Sequence, residues 1–315
     1  SYAVGHGISV NWEESDEGIV SQVWTESIPI FYQERIDTSL DGVNIQMKDL
    51  FEGDSTAIKL SLQGLVDGLE NWLSEESKAL AGLDQLQVEI GERLLAKNRN
   101  IKNRMQRGVD LLFDPSNKDL LEAFRLANQA MHLQQKHGRI PLREFVDIKG
   151  QKITFPPIQF PEEGKFGNWR PFQIAFLLMT LEGLIFPTSQ DREIVDLIFF
   201  PTGGGKTEAY LGAAALVMIY RRLANKDHHG VDVLMRYTLR LLTVQQFERS
   251  SGLIVALEHL RRARPEMLGS EPFSIGVWLG DRTTPNKRKK AIDILEGKGD
   301  KEESANPFIL AKCPW

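Results

Sequence analysis

The chain contains 315 residues, of which 42% are hydrophobic and 26% are charged, and its formal net charge is −5. This balance is typical of globular domains and excludes a disordered or fibrous protein. The negative net charge provides no overall attraction to nucleic acid, so a contact with DNA must come from local basic patches. At roughly 150 residues per domain, the length predicts two domains.

The single cysteine, Cys313, cannot form an internal disulfide, which favours a reducing compartment, and we expect a cytoplasmic protein. No apolar run reaches about 18 residues, and acidic side chains are frequent near the start of the chain, so we expect neither a membrane span nor a signal peptide. Cys313-Pro314-Trp315 matches the first half of a Cys-x-x-Cys zinc knuckle. An ordinary thiol is the alternative interpretation, and a zinc knuckle would make this chain part of a longer protein.

The first 55 residues contain two β-like runs, Gly7 to Trp12 and Gly18 to Trp24, separated by Gly, Asp and Ser. Residues 56–138 carry apolar side chains at three- and four-residue spacing, which predicts helices. Asp114-Pro115 divides this helical pattern, because proline disfavours the helical conformation at the residue before it. We find no residue pattern with recognisable chemistry in this helical block, and its role stays open.

Proline and glycine are frequent between residues 139 and 168, which is typical of a connector. We therefore predict three regions along the chain. They are an N-terminal mixed and then helical domain over 1–140, a connector over 141–168, and a second domain over 169–315.

In the second domain, helices and apolar runs alternate. Helices are predicted over about 171–184, 206–222 and 241–263. The strand-like runs between and after them are Ile194 to Phe200, Val231 to Met235 and Phe273 to Leu279. Strands that alternate with helices predict an α/β lobe with a parallel sheet and flanking helices.

The strongest motif lies between the first of these runs and the helix that follows it. It comprises Pro201, Thr202, Gly203, Gly204, Gly205, Lys206 and Thr207. Consecutive glycines let backbone N–H groups point into one hollow, and the start of a helix adds its positive dipole end, so this segment is suited to bind phosphate. Lys206 would contact the β- and γ-phosphates of ATP, and the hydroxyl of Thr207 would hold Mg²⁺. A glycine-rich turn without a ligand is the alternative interpretation.

The motif departs from the strict Gly-x-x-x-x-Gly-Lys-Thr pattern, since Phe200 stands where that pattern has glycine. The Pro-Thr-Gly variant resembles superfamily 2 helicases and translocases, which implies a RecA-like first motor lobe. By this resemblance Gln173, in the segment Trp-Arg-Pro-Phe-Gln, would read the adenine edge, and Thr238 and Arg240 would contact a nucleic-acid backbone. The alternatives are a polar residue at a helix start for Gln173, and solvated ion pairs for Arg236 and Arg240.

Two longer segments make the resemblance more specific. Phe-Pro-Thr-Gly-Gly-Gly-Lys-Thr-Glu-Ala-Tyr and Met-Arg-Tyr-Thr-Leu-Arg-Leu-Leu-Thr are similar to the helicase-like DrmA family of the bacterial DISARM anti-phage system, most firmly over about 165–260. The resemblance implies a motor that uses ATP and Mg²⁺, engages DNA and acts with a DrmB-like partner subunit. A nucleotide-gated scaffold, or a DNA-sensing ATPase that controls complex assembly without unwinding, is the alternative function.

Such motors use an Asp-Glu pair after a later strand to hold Mg²⁺ and to orient the attacking water. After the loop, Asp281 has no neighbouring Glu, and Glu302-Glu303 lies in a charged stretch rather than after a strand. We therefore predict that this chain binds ATP but hydrolyses it poorly. The basic run Lys97 to Arg107 would either contact phosphates or form a solvated helix face.

Overall fold

The computed structural model describes residues 9–25, 40–143, 155–199, 203–237, 240–279, 285, 287–296, 310 and 313–315, and for 240–242 it describes the backbone alone. The chain divides into two compact units, Ser1–Thr38 and Ser39–Trp315. No described helix combines the length and the apolar character that crossing a membrane requires.

The described part of the first unit is a β-hairpin. Strand β1 spans Val10–Glu14 and strand β2 spans Val20–Thr25, and the two pair antiparallel with Trp12 opposite Val23. The turn between them contains Gly18 at φ 75°, a conformation that glycine adopts without the steric cost of a Cβ. The two β-like runs predicted from the sequence overlap these strands.

The second unit is built of helices in its described part. Capping residues mark the starts of two of them: Asp54 accepts a hydrogen bond from the Ala57 N–H at 2.9 Å, and Asp84 forms a reciprocal capping box with Gln87. The helical pattern predicted over 56–138 corresponds to three of these helices, α2 to α4. The helices are α1 (Met47–Glu52), α2 (Ser55–Ala79), α3 (Gln85–Leu112), α4 (Lys118–Gly138), α5 (Pro171–Ile185), α6 (Lys206–Ala224), α7 (Arg240–Ala263), α8 (Pro265–Leu268) and α9 (Arg288–Leu295).

Helix α4 lies at the centre of the core. Its Phe124 and Met131 are fully buried, and the helix packs against α1, α6 and α7. Helix α3 crosses α5 closely at Gly108, where a Cβ would lie 2.2 Å from the carbonyl oxygen of Leu178. Helices on both sides of the segment 141–168 therefore contribute to one core, and the domain division predicted at that segment stays a prediction.

The predicted α/β lobe with a RecA-like parallel sheet is wrong for the residues that the structure describes. The sheet found among them is the antiparallel pair β1–β2. In the first predicted strand Val195, Leu197 and Phe199 are 95%, 85% and 91% exposed, and the described runs 231–235 and 273–279 contain no strand either. An apolar run becomes a strand only where a neighbouring backbone pairs with it, and no described segment pairs with these three runs. The helices predicted beside these runs coincide with α5, α6 and α7.

Candidate functional site

The glycine-rich loop enters α6 through residues in the left-handed region. Gly203 has φ 81°, and Gly205, the N-terminal cap of α6, has φ 83°. Other residues adopt this conformation at a cost of roughly 1–2 kcal/mol, so glycine stands where the turn requires it. Helix α6 then begins at Lys206. The first N–H groups of a helix have no partner within it, and with the helix dipole they favour an anion at this end.

Two side chains from the start of α5 hold carbonyl groups of the loop. Arg170 Nη1 donates to the Gly204 oxygen and Gln173 Nε2 donates to the Gly205 oxygen, each at 2.7 Å. The Gln173 Oε1 accepts from the Arg170 N–H at 2.8 Å, and Gln173 is 3% exposed. Carbonyl oxygens repel a phosphate, and these two are bound by donors from α5. An anion at the loop would therefore meet N–H groups rather than these carbonyls.

Trp169 fixes the position of this pair of donors. Its Nε1 donates to Asn128 Oδ1 at 2.7 Å, and Asn128 Nδ2 donates to the Phe124 oxygen of α4 at 2.8 Å. A Cβ at Gly212 would lie 2.8 Å from the Trp169 ring, so glycine in α6 makes room for the indole. The buried ring is thus held between α4 and α6, one residue before Arg170.

A carboxylate lies beside the loop. Glu208, in the first turn of α6, accepts a hydrogen bond through Oε1 from Arg249 of α7. Its Oε2 is buried and has no hydrogen-bond partner in the described part of the chain, and a Cβ on Gly205 would lie 3.4 Å from it. A buried carboxylate oxygen without a donor is costly, and it is a kind of oxygen that Mg²⁺ uses as a ligand.

Two arginines of the predicted basic run on α3 form internal ion pairs. Arg104 pairs with Asp191 and Asp196, and Arg107 also pairs with Asp191. The hydrogen bonds that Arg104 donates to Asp196 raise the pKa of Arg104 above its ordinary value. Sequence reasoning missed the partners of Arg104, since they lie 87 and 92 residues away along the chain and no local pattern marks them. These two side chains therefore do not form a phosphate-binding surface.

The described members of the predicted nucleotide site lie together at the start of α6; they are Gln173, Gly203, Gly204, Gly205, Lys206 and Thr207. Thr202, Thr238 and the side chain of Arg240 lie outside the described residues. Cys313 is exposed, and the described residues contain no group of three His, Cys, Asp or Glu side chains that could hold a metal ion. The ATP, Mg²⁺, zinc and DNA assignments, and the adenine contact of Gln173, stay predictions.

The chain is similar to a known bacterial protein. Over 303 residues it is 34% identical to the DISARM protein DrmA of Bacillus paralicheniformis, and the match covers 91% of this chain and 26% of the relative. The chain thus spans about a quarter of the length of that protein. No family model matches the sequence. The resemblance to DrmA inferred from the sequence is confirmed, and it extends over nearly the whole chain.

Proposed function

Since this chain is DrmA-like over 91% of its length, we propose that it supplies the ATP-binding loop of a protein that acts in defence against phage. One observation carries the proposal. The left-handed glycines at 203 and 205, with the carbonyls of Gly204 and Gly205 held by Arg170 and Gln173, form a turn into the start of α6. A turn of this kind is suited to the phosphate groups of a nucleotide.

In this proposal the triphosphate of ATP lies against the first turn of α6. Loop N–H groups would bind β-phosphate oxygens, Lys206 would neutralise charge on the β- and γ-phosphates, and the Thr207 hydroxyl would bind Mg²⁺. The buried Oε2 of Glu208 would accept from a water of the Mg²⁺ shell. That contact would give this oxygen the donor that it lacks among the described residues.

Calorimetric titration of the chain with ATP and Mg²⁺ tests the proposal. Lys206→Ala should weaken ATP binding by at least about tenfold, because a hydrogen bond to a charged group is worth roughly 1.5–3 kcal/mol. Lys226→Ala removes an exposed lysine from the turn after α6 and is the matched control, which should bind ATP as the wild type does. Equal ATP affinities of the two variants would reject the proposal.

More specifically, we propose that the protein is an ATP-dependent helicase or translocase that acts on phage DNA with a DrmB-like subunit. Thr238 and Arg240 would contact the DNA backbone. The ion pair between Glu208 and Arg249 supports this assignment, because it links the first turn of α6 to the helix that begins at Arg240. Strand displacement by a complete DrmA-like protein, compared with its Lys206→Ala variant, is the test. Equal unwinding by both would reject a motor driven by this loop.

A nucleotide-gated scaffold is the second candidate. It is favoured by the contacts that tie the loop region to α5 through Arg170 and Gln173 and to α7 through Arg249, because such contacts can transmit nucleotide occupancy without any unwinding. ATP-dependent assembly with a DrmB-like subunit, in the absence of strand displacement, would support the scaffold. Strand displacement that requires Lys206 would support the motor instead.

A further inference from the structure

A buried network of charges lies between α3 and the segment that leads into the loop. Arg104 is 4% exposed, and its Nη1 and Nη2 donate to the two carboxylate oxygens of Asp196 at 2.6 and 2.8 Å. Its Nε donates to Asp191 Oδ2 at 3.0 Å, and the same oxygen accepts from Arg107 Nη2 at 2.9 Å. Bidentate pairs between arginine and a carboxylate are directional as well as strong.

The close crossing of α3 and α5 places Arg104 at this point. Gly108 lies one helical turn after Arg104, and its missing Cβ lets α3 approach the backbone at Leu178 in α5. Asp191 and Asp196 follow α5 in the chain, so the crossing brings both carboxylates within reach of the guanidinium group.

The ion pair between Arg104 and Asp196 attaches residues 194–199 to α3, while the side chains on either side of Asp196 are exposed. The side chain of Asp196 is 16% exposed, whereas Val195 and Leu197 are 95% and 85% exposed. The described residues 194–199 belong to no strand, so no sheet ladder holds them. Asp196 precedes Gly203 by seven residues. The attachment to α3 therefore lies a short way before the loop in the chain.

We infer that Arg104 is a positioning residue for the nucleotide loop: it holds the entry through Asp196, while Arg170 and Gln173 hold carbonyls at the exit. This inference rests on the proposed ATP-binding function. Removing one partner of a buried ion pair leaves the other charge unpaired, and the entry segment would lose its attachment to α3. ATP binding would then carry the added cost of ordering the loop.

Titration of the whole chain with ATP and Mg²⁺ tests the inference with three variants. Asp196→Asn keeps the shape of the side chain but not its charge, and it should bind ATP about tenfold more weakly. Asp196→Glu restores the carboxylate and should recover most of the affinity. Lys102 lies on the same helix as Arg104, and Lys102→Ala removes its partly exposed ion pair with Glu70 of α2, so this variant should bind ATP as the wild type does.

Amide hydrogen exchange separates positioning from general stability. In Asp196→Asn the exchange of residues 203–207 should become faster, while that of α4 stays at the wild-type rate. If this variant does not fold, Arg104→Lys decides, because it keeps a positive charge near Asp196 but loses the two parallel hydrogen bonds, and it should weaken ATP binding about threefold.

Two outcomes distinguish the inference from the function on which it rests. A folded Asp196→Asn or Arg104→Lys chain that binds ATP as tightly as a binding-competent wild type would overturn the positioning role of Arg104. A wild type that binds ATP no better than Lys206→Ala would reject the ATP-binding function instead.

Discussion

Gly205 meets two requirements in one position of the loop. Its φ is 83°, and a Cβ there would lie 2.7 Å from Gln173 Nε2. Gly205→Ala should therefore strain the backbone by roughly 1–2 kcal/mol and displace the amide that holds the Gly205 carbonyl. We expect ATP binding to weaken by more than about tenfold, equivalent to about 1.4 kcal/mol, measured by calorimetric titration.

Gly164→Ala is the matched control for this substitution. Gly164 has φ 85°, and nothing lies within 4 Å of a Cβ built there, so alanine brings the same backbone strain without crowding. Both variants should lose a similar free energy of unfolding in urea, while only Gly205→Ala should lose ATP affinity. Unchanged ATP affinity in Gly205→Ala would show that the contact with Gln173 is dispensable.

At the same scale, the pattern of the sequence by itself marks the residues of a contiguous motif, and Gln173 was added through the family resemblance. The glycines and Lys206 follow one another in the chain, so their pattern is visible in the sequence alone. Arg170 has one local signal, its position before Pro171 at a helix start. The pair of Arg104 and Asp196 spans 92 residues and depends on how α3 crosses α5, which no local pattern encodes.

At the scale of elements, α4 carries a buried histidine where it meets α1 and the segment before α5. His132 is 8% exposed, and its ring centroid lies 5.6 Å from that of Phe51 and 4.9 Å from that of Phe166. Burial lowers the pKa of His132 below its ordinary value. The folded chain therefore favours the neutral ring, and protonation opposes this packing.

This arrangement predicts a loss of stability in mild acid. The neutral ring contributes stability that is fully present above the unfolded pKa of about 6.5 and is lost as pH falls below it, because the unfolded chain then binds the proton more readily. Urea unfolding between about pH 7.5 and about pH 5.5 should show this loss in the wild type. His132→Gln should reduce the slope of the free energy of unfolding against pH.

His137→Gln is the comparison for this measurement, since burial and the nearby Lys136 and His259 also lower the pKa of His137. His137→Gln should remove a separate part of the pH dependence of the free energy of unfolding. A pH dependence in His132→Gln that equals the wild type would contradict the role of His132.

The elements also show where sequence patterns are informative. Helices α2 to α4 were predictable because three- and four-residue apolar spacing reports a buried face directly. The apolar runs after 193 were not, because an apolar run carries no information on the backbone that would pair with it. Val195 and Leu197 are exposed rather than buried in a sheet.

At the scale of the whole molecule, the candidate nucleotide site is a property of the helical unit rather than of its motif alone. Helix α5 holds the carbonyls of the loop, α3 holds the entry segment and α7 contacts Glu208. A substitution in any of these helices can therefore change nucleotide affinity without touching a residue of the motif.

We predict that this chain binds ATP without sustained turnover. Hydrolysis requires a group that orients the attacking water and a carboxylate that holds Mg²⁺. Among the described residues, Glu208 provides a carboxylate beside the loop, and its Oε1 is already bound by Arg249. The sequence has no Asp-Glu pair after the loop. We expect phosphate release by the chain, with ATP, Mg²⁺ and DNA present, to stay at the level of the Lys206→Ala chain.

The Lys206→Ala chain is the control for this assay, since it measures any contaminating ATPase. Binding without turnover, seen as a calorimetric signal with phosphate release equal to that control, is the expected result. Sustained turnover by the wild-type chain, well above that of Lys206→Ala, would contradict the prediction, because a hydrolytic carboxylate would then lie within these 315 residues. In that case Glu208→Gln would identify the group, since Glu208 is the carboxylate that the structure places against Gly205.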